Sequence, residues 1–206
     1  MSCAWKYRNC KVGVILGTGS NACYVERVQK AEFFNKPGAM DDDKVVINTE
    51  WGAFGDHGSL EFLRTSYDRD IDFHSINPGN QLFEKMLSGM YLGELVRLVL
   101  VKLSTSGLLF KGKVTNQMLV RYQFYTKFVS EIESEPDDSI VAVSEILSEM
   151  GIDSPSPKDC KIVRYVCECI SRRAAHLVSA ALAVLILRIG EPDITIGKFS
   201  YRLNFI

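Results

Sequence analysis

Lys11–Leu16 (KVGVIL) is a short, mostly apolar run that stops at Gly17-Thr18-Gly19, and Asn21–Val28 (NACYVERV) takes up an extended pattern directly afterwards. A glycine turn between two strand-length segments makes them a strand–turn–strand unit. Glu32–Asp43, with Pro37, Gly38 and consecutive aspartates, reads as a solvated connection. Lys44–Thr49 (KVVINT) reads as a third buried strand, ending at Glu50-Trp51-Gly52-Ala53-Phe54-Gly55. From there on the apolar spacing turns helical. Strands first and helices after predict a mixed α/β or α+β domain.

Asn77-Pro78 offers an N-cap with proline at the first helical position, and Leu82, Phe83, Met86 and Leu87 follow at helical spacing. After a break at Ser88-Gly89, Leu92, Leu95, Val96, Val99 and Leu103 form an amphipathic run that ends at Gly107. Glu131–Asp138 is an acidic connector around Pro136, and Ile140, Val143, Ile146, Leu147 and Met150 predict a helix closed by Gly151. Asp159 is the expected cap of a further helix carrying Ile162, Val163, Val166 and Ile170, with Ser171–Ile189 as a separate apolar core helix. Its most apolar stretch, Ala174–Leu187, covers 14 positions, short of the roughly 20 that a membrane-spanning helix needs. Burial in a core is therefore expected, with His176 as a hydrogen-bonded core residue. Ile194–Gly197 begins a last strand, and Lys198–Ile206 (KFSYRLNFI) trails off as an apolar segment with nothing after it to cover it.

Composition narrows the function classes. The 206 residues carry 24 Lys+Arg against 25 Asp+Glu, a net charge of −1, and 47% are hydrophobic. So apolar and nearly neutral a chain is not disordered. It also has no basic excess with which to neutralise phosphates, which argues against a nucleic-acid partner. Residues 1–11 mix charge and polarity, with no apolar run of signal-peptide length. Cys3, Cys10, Cys23, Cys160, Cys167 and Cys169 form no C-x-x-C pair and cluster with none of His57, His74 and His176. Free, mostly buried thiols in a reducing, cytoplasmic compartment are expected, and no metal site.

Three patches could carry chemistry. Gly17-Thr18-Gly19-Ser20 is either a phosphate cradle, with backbone N–H groups and hydroxyl donors, or simply a hairpin turn. It lacks the Gly-Lys-Ser/Thr of a P-loop and, being followed by a strand, is no dinucleotide fingerprint. Glu50, at a strand end before glycines, is either a carboxylate for a polar ligand or a surface acid beside a turn, with Trp51 and Phe54 in the core. Gln81 and Glu84 share a helix face near a positive N-terminus, where an acid also serves plain capping chemistry.

The order of these patches is more telling than any of them. LGTGSNACY (16–24), NTEWGAFGD (48–56) and NPGNQLFEKMLSGMYLGELVR (77–97), with RRAAH (172–176) later, strongly resemble the large domain of eukaryotic hexokinases, from about Val12 to Ile196. The resemblance implies an α/β chain with the actin-like ATPase (ribonuclease H-like) fold, as an incomplete hexokinase large domain over residues 1–197 with a divergent tail over 198–206. It implies phosphorylation of glucose or another hexose at the 6-hydroxyl, the entry to glycolysis, with MgATP as co-substrate. Asn21, Glu50 and Glu84 match the family's sugar-binding asparagine and glutamates, with Gln81 nearby. Gly17, Thr18, Gly19 and Ser20 match its second phosphate loop, and Gly89 lies where the nucleotide site continues.

The departures are also part of the expectation. Met90 stands where glucokinase-like members carry a lysine, and Lys-Phe-Ser-Tyr follows Ile196-Gly197 where the family continues with Asp-Gly-Ser. The family's catalytic aspartate, first phosphate loop, Thr-Lys sugar pair and small domain match nothing in this chain. A truncated form without turnover of its own is therefore expected, with a non-catalytic glucose-binding or regulatory module, or a non-functional product associating through exposed apolar surface, as the alternatives.

Overall fold

The hairpin closes as the glycine turn requires. A computed structural model describes residues 9–31, 43–190 and 195–199. Strands β1 (Cys10–Leu16), β2 (Ser20–Arg27), β3 (Lys44–Asn48) and β4 (Thr195–Phe199) form one sheet in the order β3-β2-β1-β4. β1 and β2 run antiparallel with Leu16 opposite Ser20, and β2 and β3 antiparallel with Cys23 opposite Asn48. β4 lies parallel to β1, with Gly13 opposite Gly197. Side chains alternate across such a sheet, so Val12, Val14, Ala22 and Tyr24 fall on one face and are buried there.

Among the described residues, seven α-helices follow: α1 (Ser66–Phe73), α2 (Leu82–Leu87), α3 (Leu92–Thr105), α4 (Asn116–Leu119), α5 (Thr126–Ser134), α6 (Val141–Glu149) and α7 (Pro157–Ile189). The buried sheet face packs with Trp51, with Phe83, Met86 and Leu87 of α2, and with Ala174 and Val178 of α7. A second core lies among the helices, where Val96 and Leu100 meet Phe128, Ile132, Val143, Leu147, Cys160, Val163 and Cys167. Helix α7 enters both cores. Inside the helical layer, Arg97 pairs with Glu94 through Nε–Oε2 and Nη2–Oε1 bonds of 2.7 and 2.6 Å, while Glu94 also accepts from the Tyr122 amide at 2.7 Å. Arg173, from the expected RRAAH segment, grips Asp68 of α1 with two 2.9 Å bonds.

Several expectations change. The helix expected at Asn77-Pro78 starts at Leu82, because a carboxylate from elsewhere caps it (below). The acidic connector over 131–138 begins inside α5, since Phe128, Val129 and Ile132 give that segment a buried face. Ser156, not Asp159, caps α7: its hydroxyl oxygen accepts from the Asp159 amide at 3.1 Å, with Pro157 at the first turn. The two helices expected over 159–189 are one helix of 33 residues, because neither glycine nor proline interrupts Asp159–Ile189. Its C-terminal half is not a buried core helix. Val184 and Leu187 are 63% and 80% exposed, and His176 is exposed as well. Counted as one element, α7 is long and apolar enough to cross a membrane, whereas the 14-residue stretch was not. Its N-terminal part is nevertheless embedded in the helical core, through Cys160, Val163, Val166 and Cys167. Helix α1 went unforeseen despite a full capping box between Thr65 and Asp68. β4 continues through Phe199, two residues beyond the expected change of character at residue 197. The rest of the expected apolar tail, the connection over 32–42 and Cys3 lie outside the described residues. The five described cysteines are free thiols, three of them buried; burial pushes the Cys167 thiol up most strongly.

Candidate functional site

Sheet register brings the three patches together. Because Leu16 pairs with Ser20, the loop 17–19 projects from the sheet end; because Cys23 pairs with Asn48, the chain leaving β3 passes beside β2. The Thr49 amide and hydroxyl both donate to the Ala22 carbonyl, at 3.0 and 2.8 Å. Glu50 then turns into the left-handed region (φ 46°), and a 3₁₀ turn over Trp51–Ala53 follows. The Trp51 indole donates to the Ser20 hydroxyl at 2.8 Å, anchoring the turn to the hairpin. Edge-to-face contact of Trp51 with Phe83, at 6.0 Å, anchors it to α2.

The result is a cavity of about 370 Å³ lined by Ile15, Gly17, Thr18, Gly19, Ser20, Asn21, Glu50, Gln81 and Glu84. Eight of the nine expected site residues therefore share one wall. Glu50 Oε1 accepts from the side-chain amides of Asn21, at 3.0 Å, and Asn48. Glu84 Oε2 accepts from the Ser20 amide at 2.7 Å. Each carboxylate thus uses one oxygen to hold its place, and the other has no hydrogen-bond partner among the described residues. The Asn21 side-chain Oδ1 accepts from the Ala22 amide at 2.8 Å, which points its NH₂ toward Glu50.

The ninth residue, Gly89, stands behind the loop. Its amide donates to the Gly17 carbonyl at 2.8 Å and its carbonyl accepts from the Thr126 hydroxyl at 2.6 Å, while the Met90 amide donates to Thr18 at 3.1 Å. A side chain at Gly89 would put its Cβ 2.8 Å from the Gly17 oxygen, so glycine is required by close approach. Gly89 therefore braces the loop rather than lining the cavity. Gly17 donates to Gly19 within the turn, leaving the Thr18 and Gly19 amides without partners among the described residues. Bare amides in a tight loop favour an anion.

A charge cluster beneath α2 holds this wall. Lys85, 2% exposed, donates to Asp72 Oδ1 and to the Asn77 carbonyl, both at 2.8 Å; Arg64 reaches Asp72 Oδ2 at 3.0 Å and the Gly79 amide reaches Oδ1 at 2.9 Å. Burial alone raises the Asp72 carboxyl, but the Lys85 bond, the Gly79 amide and the charges of Lys85 and Arg64 together hold it below the usual carboxylate range. Sequence reading missed this cluster, along with Asn48, Asp56 and Thr126. Asn48 and Asp56 lay inside a recognised motif without a role, and Thr126, the first residue of α5, gave no signal.

A family model described as hexokinase matches residues 11–199. Hexokinase-1 of Homo sapiens is 49% identical over 191 residues, 93% of this chain and 20% of that protein. Hexokinase-2 of Equus caballus is 47% identical over the same length. The chain thus spans about a fifth of these relatives. A solved hexokinase from Schistosoma mansoni, complexed with glucose, superposes with a TM-score of 0.88 at 40% identity, over 97% of this chain and 44% of that one. A second hexokinase crystal structure gives a TM-score of 0.74 at 30% identity, over 93% and 40%.

Proposed function

The chain belongs to the hexokinase family, and on that premise we propose that its described residues form the large-domain wall of a hexose site beside a nucleotide-phosphate loop, for ATP-dependent phosphoryl transfer to a hexose 6-hydroxyl. One observation carries the reading: Asn21, Glu50, Gln81 and Glu84 line the same cavity as Gly17–Ser20. The uncommitted oxygens of Glu50 and Glu84 accept sugar hydroxyls, and hydrogen bonds to ionised acceptors are roughly twice as strong as neutral ones. An analogue lacking such a hydroxyl leaves a carboxylate desolvated and unpaired, and is rejected. The Thr18 and Gly19 amides and the Thr18 hydroxyl suit phosphate oxygens. When bound, MgATP supplies the phosphoryl group together with the metal charge.

We further propose that the 206-residue chain binds hexose without turning it over. Its cavity lining contains no His, Asp, Lys or Arg among the described residues. Glu50 and Glu84 each have one oxygen fixed by N–H donors of the chain, a geometry that suits the acceptor of a sugar hydroxyl. A missing base alone costs about 10²–10⁴ in rate, and a missing phosphate clamp adds to that loss. The same observation favours the second reading, a non-catalytic sugar-binding module. A cytoplasmic setting is part of the proposal, supported by free thiols at all five described cysteines.

Calorimetry with millimolar glucose on the purified chain, paired with a coupled assay for ADP release, tests both statements. Heat of binding that disappears in Glu50→Ala and Glu84→Ala is expected, with no glucose-dependent ADP. Absent binding refutes the hexose site, and turnover above background refutes the inactivity.

A further inference from the structure

Resting on the hexose-site reading above, we propose that Asp56 is a positioning residue, whose carboxylate holds Gln81 and Glu84 in the geometry that meets the sugar. Asp56 Oδ2 accepts from the Gln81 amide and Oδ1 from the Leu82 amide, both at 2.9 Å. These are the donors that a helix start leaves orphaned. Gln81, the residue at the cap position, makes no side-chain cap bond and sits at φ 57°. A left-handed glutamine is costly unless its surroundings hold it, and the bidentate carboxylate does so. With capping supplied from 25 residues away, the Gln81 side chain is released from that task and lines the cavity. Its Oε1 lies so close to Gly52 that no Cβ would fit there, and Glu84 Cβ stands 3.3 Å from the same point.

Asp56 belongs to the turn that begins at Glu50. Its own amide donates to the Ala53 carbonyl at 3.2 Å, and Gly55 before it takes φ +93°. One carboxylate therefore ties the segment bearing Glu50 to the helix bearing Glu84, and fixes the spacing between the acids. A plain capping role would stabilise α2 without altering what Gln81 and Glu84 bind.

The experiment compares the full chain with Asp56→Asn, which keeps one acceptor, and Asp56→Ala, which keeps none. Glucose is the probe, and amide hydrogen exchange and melting temperature are read on the same samples. Exchange at Gln81 and Leu82 is expected to quicken while β1 and β2 stay protected. Glucose affinity is expected to fall about tenfold in Asp56→Asn and further in Asp56→Ala, with the melting temperature lowered less by Asp56→Asn than by Asp56→Ala. Should Asp56→Ala fail to fold, Asp56→Asn decides alone. Faster exchange with affinity kept within about twofold overturns the proposal, since capping then does not reach the sugar; unchanged exchange overturns it as well. A wild-type chain that takes up no glucose overturns the hexose-site reading instead, and is told apart because exchange at Gln81 still responds to Asp56→Asn.

Discussion

Gly19→Ala isolates one bond of the site. Gly19 does not occupy the left-handed region, so alanine adopts its backbone without penalty. The new Cβ would stand 2.6 Å from Glu84 Oε2, about 1 Å inside ordinary contact distance. Glu84 must swing away, and the 2.7 Å bond from the Ser20 amide is lost. Because the displaced atom ends a flexible side chain, stability falls by no more than about 1 kcal/mol. The larger effect lies in binding, since hydrogen bonds to charged groups are worth about 1.5–3 kcal/mol, or roughly 10- to 150-fold in affinity. Gly17→Ala is the matched control, because nothing stands within 4 Å of its Cβ position. Glucose titration calorimetry on both variants and wild type reads the difference. If Gly19→Ala binds glucose as tightly as Gly17→Ala, the Ser20–Glu84 bond does not orient the sugar-facing carboxylate and the reasoning fails.

Other outcomes follow from the charge cluster and the caps. Asp72 is held below its ordinary pKa of 3.8, so its contribution to stability is complete above about pH 4 and drains away as pH falls through the lower, folded-state value. Urea unfolding across this range should show an acid loss that Asp72→Asn flattens. Lys85→Met leaves Asp72 with Arg64 and the Gly79 amide, one cation fewer, in a mostly buried setting and should cost about 3 kcal/mol in the same measurement; a cost under about 1 kcal/mol contradicts the pairing described. Ser156→Ala removes the α7 cap and should cost about 1 kcal/mol, seen as a lower melting temperature, while Asp159→Ala should cost less.

What was legible in the chain was local. The strand pair was readable because Gly17-Thr18-Gly19 sits between two strand-length segments, and its register then delivered Asn21 and Glu50 to one wall. The end of α3 was readable because Gly107 takes φ +73°. The start of α2 was not: Asn77-Pro78 carries the right residue types for a cap, but Asp56, remote in sequence, does the capping. Lys85 and Asp72 escaped because a buried ion pair between charged residues 13 apart leaves no periodic signal, and Arg64 and Asn77 join it from the flanking turns. The continuity of α7 escaped because two apolar blocks suggested two helices, and its exposure because an apolar run does not reveal how much of it the rest of the chain covers.

That continuity makes α7 a shared beam. Thirty-three residues in one helix extend about 50 Å, with Cys160–Cys167 bedded in one core and Ala174–Val178 in the other. Loosening the helical layer therefore strips the support from under the strands that carry the carboxylate wall, and loosening the sheet frees half the rod on which the helices rest. Sharing one helix couples the two cores, so a destabilising change among the helices reaches the wall that carries Glu50 and Glu84 without touching a residue that lines it.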